Sequence, residues 1–490
     1  MAPTPADDLA QQAVETPSAT ALTWEGGRLT YRQLDSRVTS MADLVTSRGA
    51  VPGEAVTLNP APGPDAVAAL FGLWRAGCVA VPLHERLTPS EMDQACRIVM
   101  STLHIDNSTL HETSMSSLPS APKGAIAGTP SGTEGAAKRG RYSSFPDVNL
   151  LILTSGSSGP PRAFGFTRDA LAASAVAVAH RLRLTAGDRW GLCLSPGHIG
   201  GLSLVVRAVL TGSSVRLWPS FDAGAVARAM LAGRVTHLAV VPVMLRRVLV
   251  RLAGRHPPET LRCVLVGGSA APRALLDEAW EAGLPVATTW GMTETASQVA
   301  TAPPRLARLH PGTAGTPLRG VEVRRDPGGV LHVRGPTLAS MVVRGPGTPP
   351  APLSTDPAGW FATRDLGRVD AAGLVWIEGR ADAMIVSGGL NVSPAEVERV
   401  IGALPGVRDA VVLGLPDEEW GEVVVAVVEG DPSAVTAGDV DRHCRERLVR
   451  GRCPTRTVVV NELPRTRTGK VMRWRVGEQY GPELRRGNAT

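Results

Sequence analysis

The feature that most restricts this chain is a rhythm of short apolar runs, each leading into a loop or a helix-like segment, that sets in at residue 148. "VNLLILT" (148–154) ends in a loop rich in hydroxyls and glycines. "THLAVVP" (236–242) runs into the amphipathic "VMLRRVLVRL", "LRCVLVGG" (261–268) into "APRALLDEAW", and "LPVATTWG" (284–291) into "MTETAS". Apolar runs of strand length alternating with helical periodicity predict buried strands in an α/β architecture. The same rhythm stands earlier in "EAVTLNP" (54–60) and "DAVAALFGLWRAGCVAVPL" (65–83), whereas 106–147 is rich in Ser, Thr, Gly and Pro and reads as a long connection.

After about residue 310 the texture changes. "GVEVRRDPGGVLHVRGP" (320–336) and "GLVWIEGR" (373–380) have hairpin spacing and predict a β-rich subdomain. Beyond Arg380 a smaller α+β unit is expected, with a helix opened by Ser393 as N-cap, Pro394 at its first position and Glu396 closing a capping box. Val397, Val400, Ile401 and Leu404 then share one apolar face. The fold expected is therefore α/β: a large N-terminal domain (1–379) of β-sheets flanked by helices with a β-rich subdomain, and a small α+β C-terminal domain (380–490).

Composition narrows the function. The 490 residues are 43% hydrophobic and 20% charged, as in globular proteins with substantial cores. The start "MAPTPADDLAQQ" lacks an apolar signal region, and no run approaches the ~18 apolar residues of a membrane span. Six cysteines without a C-x-x-C pair support neither zinc nor a disulfide framework, and a cytoplasmic home is expected. A net charge of +6 suits anionic substrates, while dispersed charge and 4% aromatics argue against nucleic acid.

The chemistry lies in five stretches. "LTSGSSGPPR" (153–162) is not a Walker loop, yet hydroxyls and glycine amides behind a strand can wrap a polyphosphate. It is followed in order by "TTWGMTETAS" (288–297), "STDPAGWFATRDLG" (354–367), "GRADAMIVSGGLNVSPAEVE" (379–398) and "LPRTRTGKVMR" (463–473). This ordered set resembles the signature motifs of the adenylate-forming superfamily, which includes acyl-CoA synthetases, luciferases and peptide-synthetase adenylation domains. The resemblance runs from about residue 20 to 480.

It implies ATP, Mg²⁺ and CoA as cofactors. Thr154, Ser155, Gly156, Ser157, Ser158, Gly159 and Arg162 match the phosphate loop, with Arg162 replacing the usual lysine. Trp290 matches the aromatic ring against adenine. Thr293 matches the α-phosphate ligand, and Glu294 the Mg²⁺ ligand. Asp365 and Arg380 match the ribose contacts, and Asp382 the hinge; the resemblance alone implies that the small C-terminal domain is mobile. Gly388 and Gly389 match the pantetheine tunnel, and Trp420 the nucleotide of CoA. Lys470 is implied as the catalytic cation that offsets repulsion between carboxylate and α-phosphate.

"SPGHIGGLSLVVRAVLTG" (195–212), "VTHLAVVPVMLRRVL" (235–249) and "GMTETASQVAT" (291–301) are similar to the o-succinylbenzoate–CoA ligases of menaquinone biosynthesis. The similarity implies an acid with a second carboxylate, which needs a cationic or hydrogen-bonding partner. His198 is then expected to close the acyl pocket and Arg207 to reach the spectator carboxylate. Gly267, Gly268 and Ser269 form its wall, and Ser297 and Gln298 add polar contacts. Arg364 stands where the superfamily has glycine and raises the alternative of a nucleotide-binding pseudoenzyme. A carrier-protein thiol or a different acid is the other alternative, and a homodimer stays open.

Overall fold

The computed structural model describes residues 5–59, 62–85, 87–101, 103–106, 109–112, 145, 147–154, 161–388, 390–466 and 469–486. The described residues form three sheets, of thirteen, eight and five strands, flanked by helices.

At the heart of the largest sheet, strands Ser214–Leu217, Arg189–Leu192, His237–Val240, Cys263–Val266 and Val286–Met292 run parallel in that spatial order. Their carboxyl ends lie on one edge, where open α/β sheets place ligands. Successive side chains point to opposite faces of a strand. Trp190, Leu192, Ala239, Cys263, Leu265 and Ala287 thus enter the core that also takes helix Ile199–Thr211. Leu238, Val240, Val264 and Val266 face helices Ala223–Leu231, Pro242–Leu252 and Arg273–Glu281. Both faces are buried, which is why these strands read as continuous apolar runs.

In the eight-stranded sheet, Leu150–Thr154 and Arg162–Phe166 form a hairpin whose end pair is Thr154 and Arg162. The expected long connection begins with two paired strands, Leu103–Asp106 and Thr109–Glu112. Hairpin Glu322–Arg325/Val330–Arg334 joins Phe361–Val369 and Val375–Arg380 at the far end of the thirteen-stranded sheet.

All strands from Ile385 onward belong to the five-stranded sheet, around its own apolar cluster containing Val397, Ile401, Val412 and Val428. Helix Pro394–Ile401 begins where the sequence predicts, but the capping box does not form. Ser393 Oγ donates instead to the Glu378 carbonyl at 3.1 Å, and Glu396 accepts from Arg452 Nη1 at 2.9 Å. Long-range partners have displaced the local cap.

Candidate active site

Strands Phe361–Val369 and Val375–Arg380 pair so that Asp365 lies opposite Arg380. Gly367 follows at a register shift, and a Cβ there would come within 2.3 Å of the Trp376 carbonyl. Arg380 Nη1 reaches Asp365 Oδ1 at 3.4 Å, while its Nε and Nη2 grip both oxygens of Asp382 at 2.9 Å each. The hydrogen bond from Arg380 and its charge hold Asp382 below the usual carboxylate range. Asp365 Oδ2 accepts a 2.7 Å bond from Trp290 Nε1.

That contact gives Trp290 a second part beside the expected one against adenine. Only 7% of the residue is exposed, because the ring packs into the main core, so little more than an edge is left for adenine. Its polar end fixes the carboxylate expected at the ribose. Arg364 Nη1 donates to Asp382 Oδ2 at 3.1 Å, joining the ion-paired group of Arg380 and Asp382.

Thr293 and Glu294 form a tight turn between strands Val286–Met292 and Ser297–Ala302. The turn leaves with Ala296 at φ 51 and Ser297 at φ 105, which is strained for residues bearing a Cβ. Gly291 is required before it, since a Cβ there would sit 1.8 Å from the Ser297 carbonyl. Burial raises the Glu294 pKa, while its backbone hydrogen bond and then Arg380 and Arg364 act against that rise. Ser155, Gly156, Ser157, Ser158 and Gly159 lie outside the described residues.

Lys470 follows Gly469, whose φ is +83 and whose added Cβ would meet Val243 Cγ1 at 2.4 Å. Its loop therefore lies against helix Pro242–Leu252, bringing the C-terminal lysine to the large sheet's ligand edge. Arg246 Nη2 donates across the same boundary to the Arg408 carbonyl at 2.8 Å. Desolvation, then Arg380, lowers the Lys470 pKa, and Asp365 counters them. The structure thus gathers Asp365, Arg380 and Asp382 into one ion-paired group, whose charges Lys470 feels.

On the acyl side His198 caps helix Ile199–Thr211 without a side-chain cap bond. Its ring meets His84 edge-on at 5.1 Å, and its Nε2 has no hydrogen-bond partner among the described residues. Burial, then His84, pulls its pKa to about 4, so the ring is neutral at pH 7. The Glu85 carboxylate accepts from Ser195 Oγ, bolting the turn before His198 to the segment after Pro82. Sequence reasoning passed over His84 and Glu85, because two adjacent polar residues carry no periodic signal.

Gly267 meets Thr289 Cγ2 at 2.7 Å from a notional Cβ, and Gly268 holds φ +81, while Ser269 is exposed at the rim. Gln298 is buried with its Oε1 taken by Thr301 Oγ1 at 2.6 Å and Thr289 Oγ1 at 3.4 Å. That oxygen supports the strand pair. Arg207 is 1% exposed, its guanidinium 5.4 Å from the Trp190 ring centroid. Burial lowers its pKa to about 10, so it is still a cation at pH 7.

In the small sheet, Trp420 is half exposed and its carbonyl accepts from Gly388 N at 2.9 Å. Gly389 lies outside the described residues.

The description "AMP-binding enzyme" fits residues 9–348, and "AMP-binding enzyme C-terminal domain" fits 396–470. The chain belongs to the AMP-binding enzyme family. A 2-succinylbenzoate–CoA ligase of Bacillus cereus is 32% identical over 477 residues, which cover 95% of this chain and 96% of the relative. The o-succinylbenzoate CoA synthetase (MenE) of Bacillus subtilis, solved with the acyl-adenylate intermediate OSB-AMP, superposes with a TM-score of 0.82 at 29% identity. That match covers 96% of this chain and 97% of the synthetase. ATP-bound MatB from Rhodopseudomonas palustris gives a TM-score of 0.82 at 25% identity, covering 98% and 99% of the two chains.

Another structure of the Bacillus subtilis enzyme holds ATP and a magnesium ion (TM-score 0.80, 28% identity, covering 95% and 98%). The residues here fit such an ion. Glu294 is a largely desolvated carboxylate near Arg380, Arg364 and Asp365, and oxygen donors of this kind suit a hard cation. Among the described residues no cluster of three or more His, Cys, Asp or Glu is placed to hold a metal ion.

Proposed function

We propose that this AMP-binding enzyme is an acid–CoA ligase that activates the aliphatic carboxylate of o-succinylbenzoate and passes the acyl group to CoA, a step of menaquinone biosynthesis. In the first half-reaction a carboxylate oxygen attacks the α-phosphorus of ATP, and the bond to pyrophosphate breaks. In the second the CoA thiol gives up its proton, its sulfur attacks the acyl carbon, and AMP leaves. Thr293 and residues 154–162 hold phosphate, and Asp365, set by Trp290 and Arg380, holds ribose. Mg²⁺ at Glu294 would neutralise phosphate charge when bound. Lys470 bridges the two anions as they join, and His198 closes the acyl pocket as a neutral ring.

The observation that carries the choice of acid is Arg207. It is a fully buried cation with no carboxylate partner among the described residues, and Nε and Nη2 are without hydrogen bonds. Leaving such a charge uncompensated is costly. It lies nine residues past His198, about 13 Å along the helix, and helix side chains lean back toward the N-terminus. That directs the guanidinium up toward the pocket, where a second carboxylate is needed.

In the same reading, residues 1–379 bind nucleotide and acid, and 380–490 turn about Asp382 so that pantetheine enters past Gly388, Gly389 and Trp420. Among the described residues no helix is long and apolar enough to cross a membrane. We assign the enzyme to the cytoplasm and leave a homodimer as its proposed assembly. The test is pyrophosphate release and thioester formation over o-succinylbenzoate, benzoate and fatty acids, with CoA or a carrier protein as acceptor. Thioester formed with o-succinylbenzoate and free CoA is expected. Thioester formed only on a carrier protein, or only with a monocarboxylic acid, overturns the proposal.

A further inference from the structure

Arg207 does not stand alone. Trp190 Nε1 and His237 Nε2 are buried and, like Arg207 Nε and Nη2, have no hydrogen-bond partner among the described residues. The three side chains belong together: the Trp190 and His237 rings are 4.8 Å apart, and the Arg207 guanidinium stands over the Trp190 ring. Trp190 and His237 open adjacent parallel strands and are register partners, with Cys263 next in line. Toward the strands' carboxyl ends the same face carries Leu192, Ala239, Leu265 and Ala287, packed by helix Ile199–Thr211. Several unpaired buried nitrogens gathered at one point are what the anionic end of a ligand requires.

Asp188 cannot serve as that anion. Its Oδ1 accepts from Arg262 Nη1 at 2.6 Å and Thr236 Oγ1 at 3.1 Å, and its Oδ2 accepts from Thr185 N at 2.8 Å. Its role is to orient His237. The Thr236 hydroxyl lies 3.1 Å from Asp188 Oδ1, accepts from Arg189 N at 2.9 Å and is in hydrogen-bond contact with His237 Nδ1 at 2.8 Å. Nδ1 is thereby occupied and Nε2 is left for a ligand.

We infer that Trp190 and His237 are specificity-determining residues that complete, with Arg207, a cradle for the second carboxylate of the acid. This rests on the dicarboxylate reading above. In the tautomer that carries the ring proton on Nδ1, Nε2 is an acceptor, so holding a carboxylate there requires a proton, which is taken from solvent as the acid binds. In the free protein burial keeps the His237 pKa at about 4 against the pull of Asp188. Arg262 and Arg207 also lower it. The remaining neighbour, the Cys263 thiol, is pushed up to about 12 and stays neutral. An added carboxylate acts in the same direction as Asp188 and raises the value.

The experiment measures pyrophosphate release with o-succinylbenzoate and with 3-benzoylpropionate, which keeps the reacting carboxylate and ketone but lacks the aryl carboxylate. Wild type is compared with Trp190→Phe, His237→Gln and Arg207→Met from pH 6 to 8. Each of the first two variants is expected to raise KM for the dicarboxylate ~10-fold while changing the analogue less than ~2-fold, so the analogue also reports an intact fold. The wild-type KM ratio of dicarboxylate to analogue rises with pH, and His237→Gln flattens it. Wild type that does not distinguish the two acids overturns the dicarboxylate reading itself. Wild type that prefers the dicarboxylate and loses the preference in Arg207→Met, but keeps it and its pH profile in Trp190→Phe and His237→Gln, overturns this inference alone.

Discussion

The Trp290 indole N–H donates a 2.7 Å hydrogen bond to Asp365 Oδ2 while Arg380 Nη1 stands 3.4 Å from Asp365 Oδ1. Both carboxylate oxygens are held before any nucleotide arrives. Preorganisation of this kind removes ordering cost from binding. It also ties the WG-x-T-E stretch to a strand more than seventy positions away.

Trp290→Phe keeps the ring in the core and deletes only the N–H. Hydrogen bonds to charged groups are worth about 1.5–3 kcal/mol. KM for ATP is expected to rise about tenfold with a smaller change in KM for the acid, read from pyrophosphate-release kinetics. An unchanged KM for ATP would show that Asp365 needs no such support.

Arg364→Gly tests whether the added arginine impairs nucleotide seating. Arg364 and Asp382 are partly exposed, and such pairs contribute about 0–1 kcal/mol. KM for ATP should stay within about twofold of wild type. A large gain in ATP affinity on losing Arg364 would revive obstruction at the ribose.

Glu294→Gln separates stability from function. Burial raises the native pKa of Glu294 above its ordinary value, so between that value and the raised one the folded state binds more protons than the unfolded state. Stability from this group therefore declines as pH rises through that window and stays lower above it. At pH 7 Glu294→Gln is expected to raise Tm without nucleotide and to raise the Mg²⁺ concentration needed for half-maximal adenylation. A lower Tm together with unaltered Mg²⁺ dependence contradicts the assignment.

Much of this was legible in the sequence, and the reasons are physical. Double burial made the parallel strands continuous apolar runs, and the ordered motifs marked Asp365, Arg380 and Lys470. Contacts closed over long distances were not legible. Nothing local shows that Trp290 spends its N–H on Asp365, that Arg364 turns to Asp382, or that Ser393 bonds Glu378 in preference to its own helix. His237 and Trp190 were hidden inside strands, where a polar residue looks like core until its partners can be counted.

Gly388→Ala probes the thiol path. Gly388 holds φ +55, and a Cβ would stand 2.4 Å from Trp420 Cε3, so the indole must shift. Adenylation should be unaffected while KM for CoA rises several-fold. Equal losses in both half-reactions would move Gly388 out of the second step.

The most direct test of the account is Lys470→Ala assayed in each half-reaction separately. Joining two anions should lose its electrostatic stabilisation, and adenylate formation is expected to fall by about 10²–10³. Thioester formation from a supplied acyl-adenylate should remain within a few-fold of wild type. Comparable loss in both steps, or none in the first, would contradict the role given to this lysine.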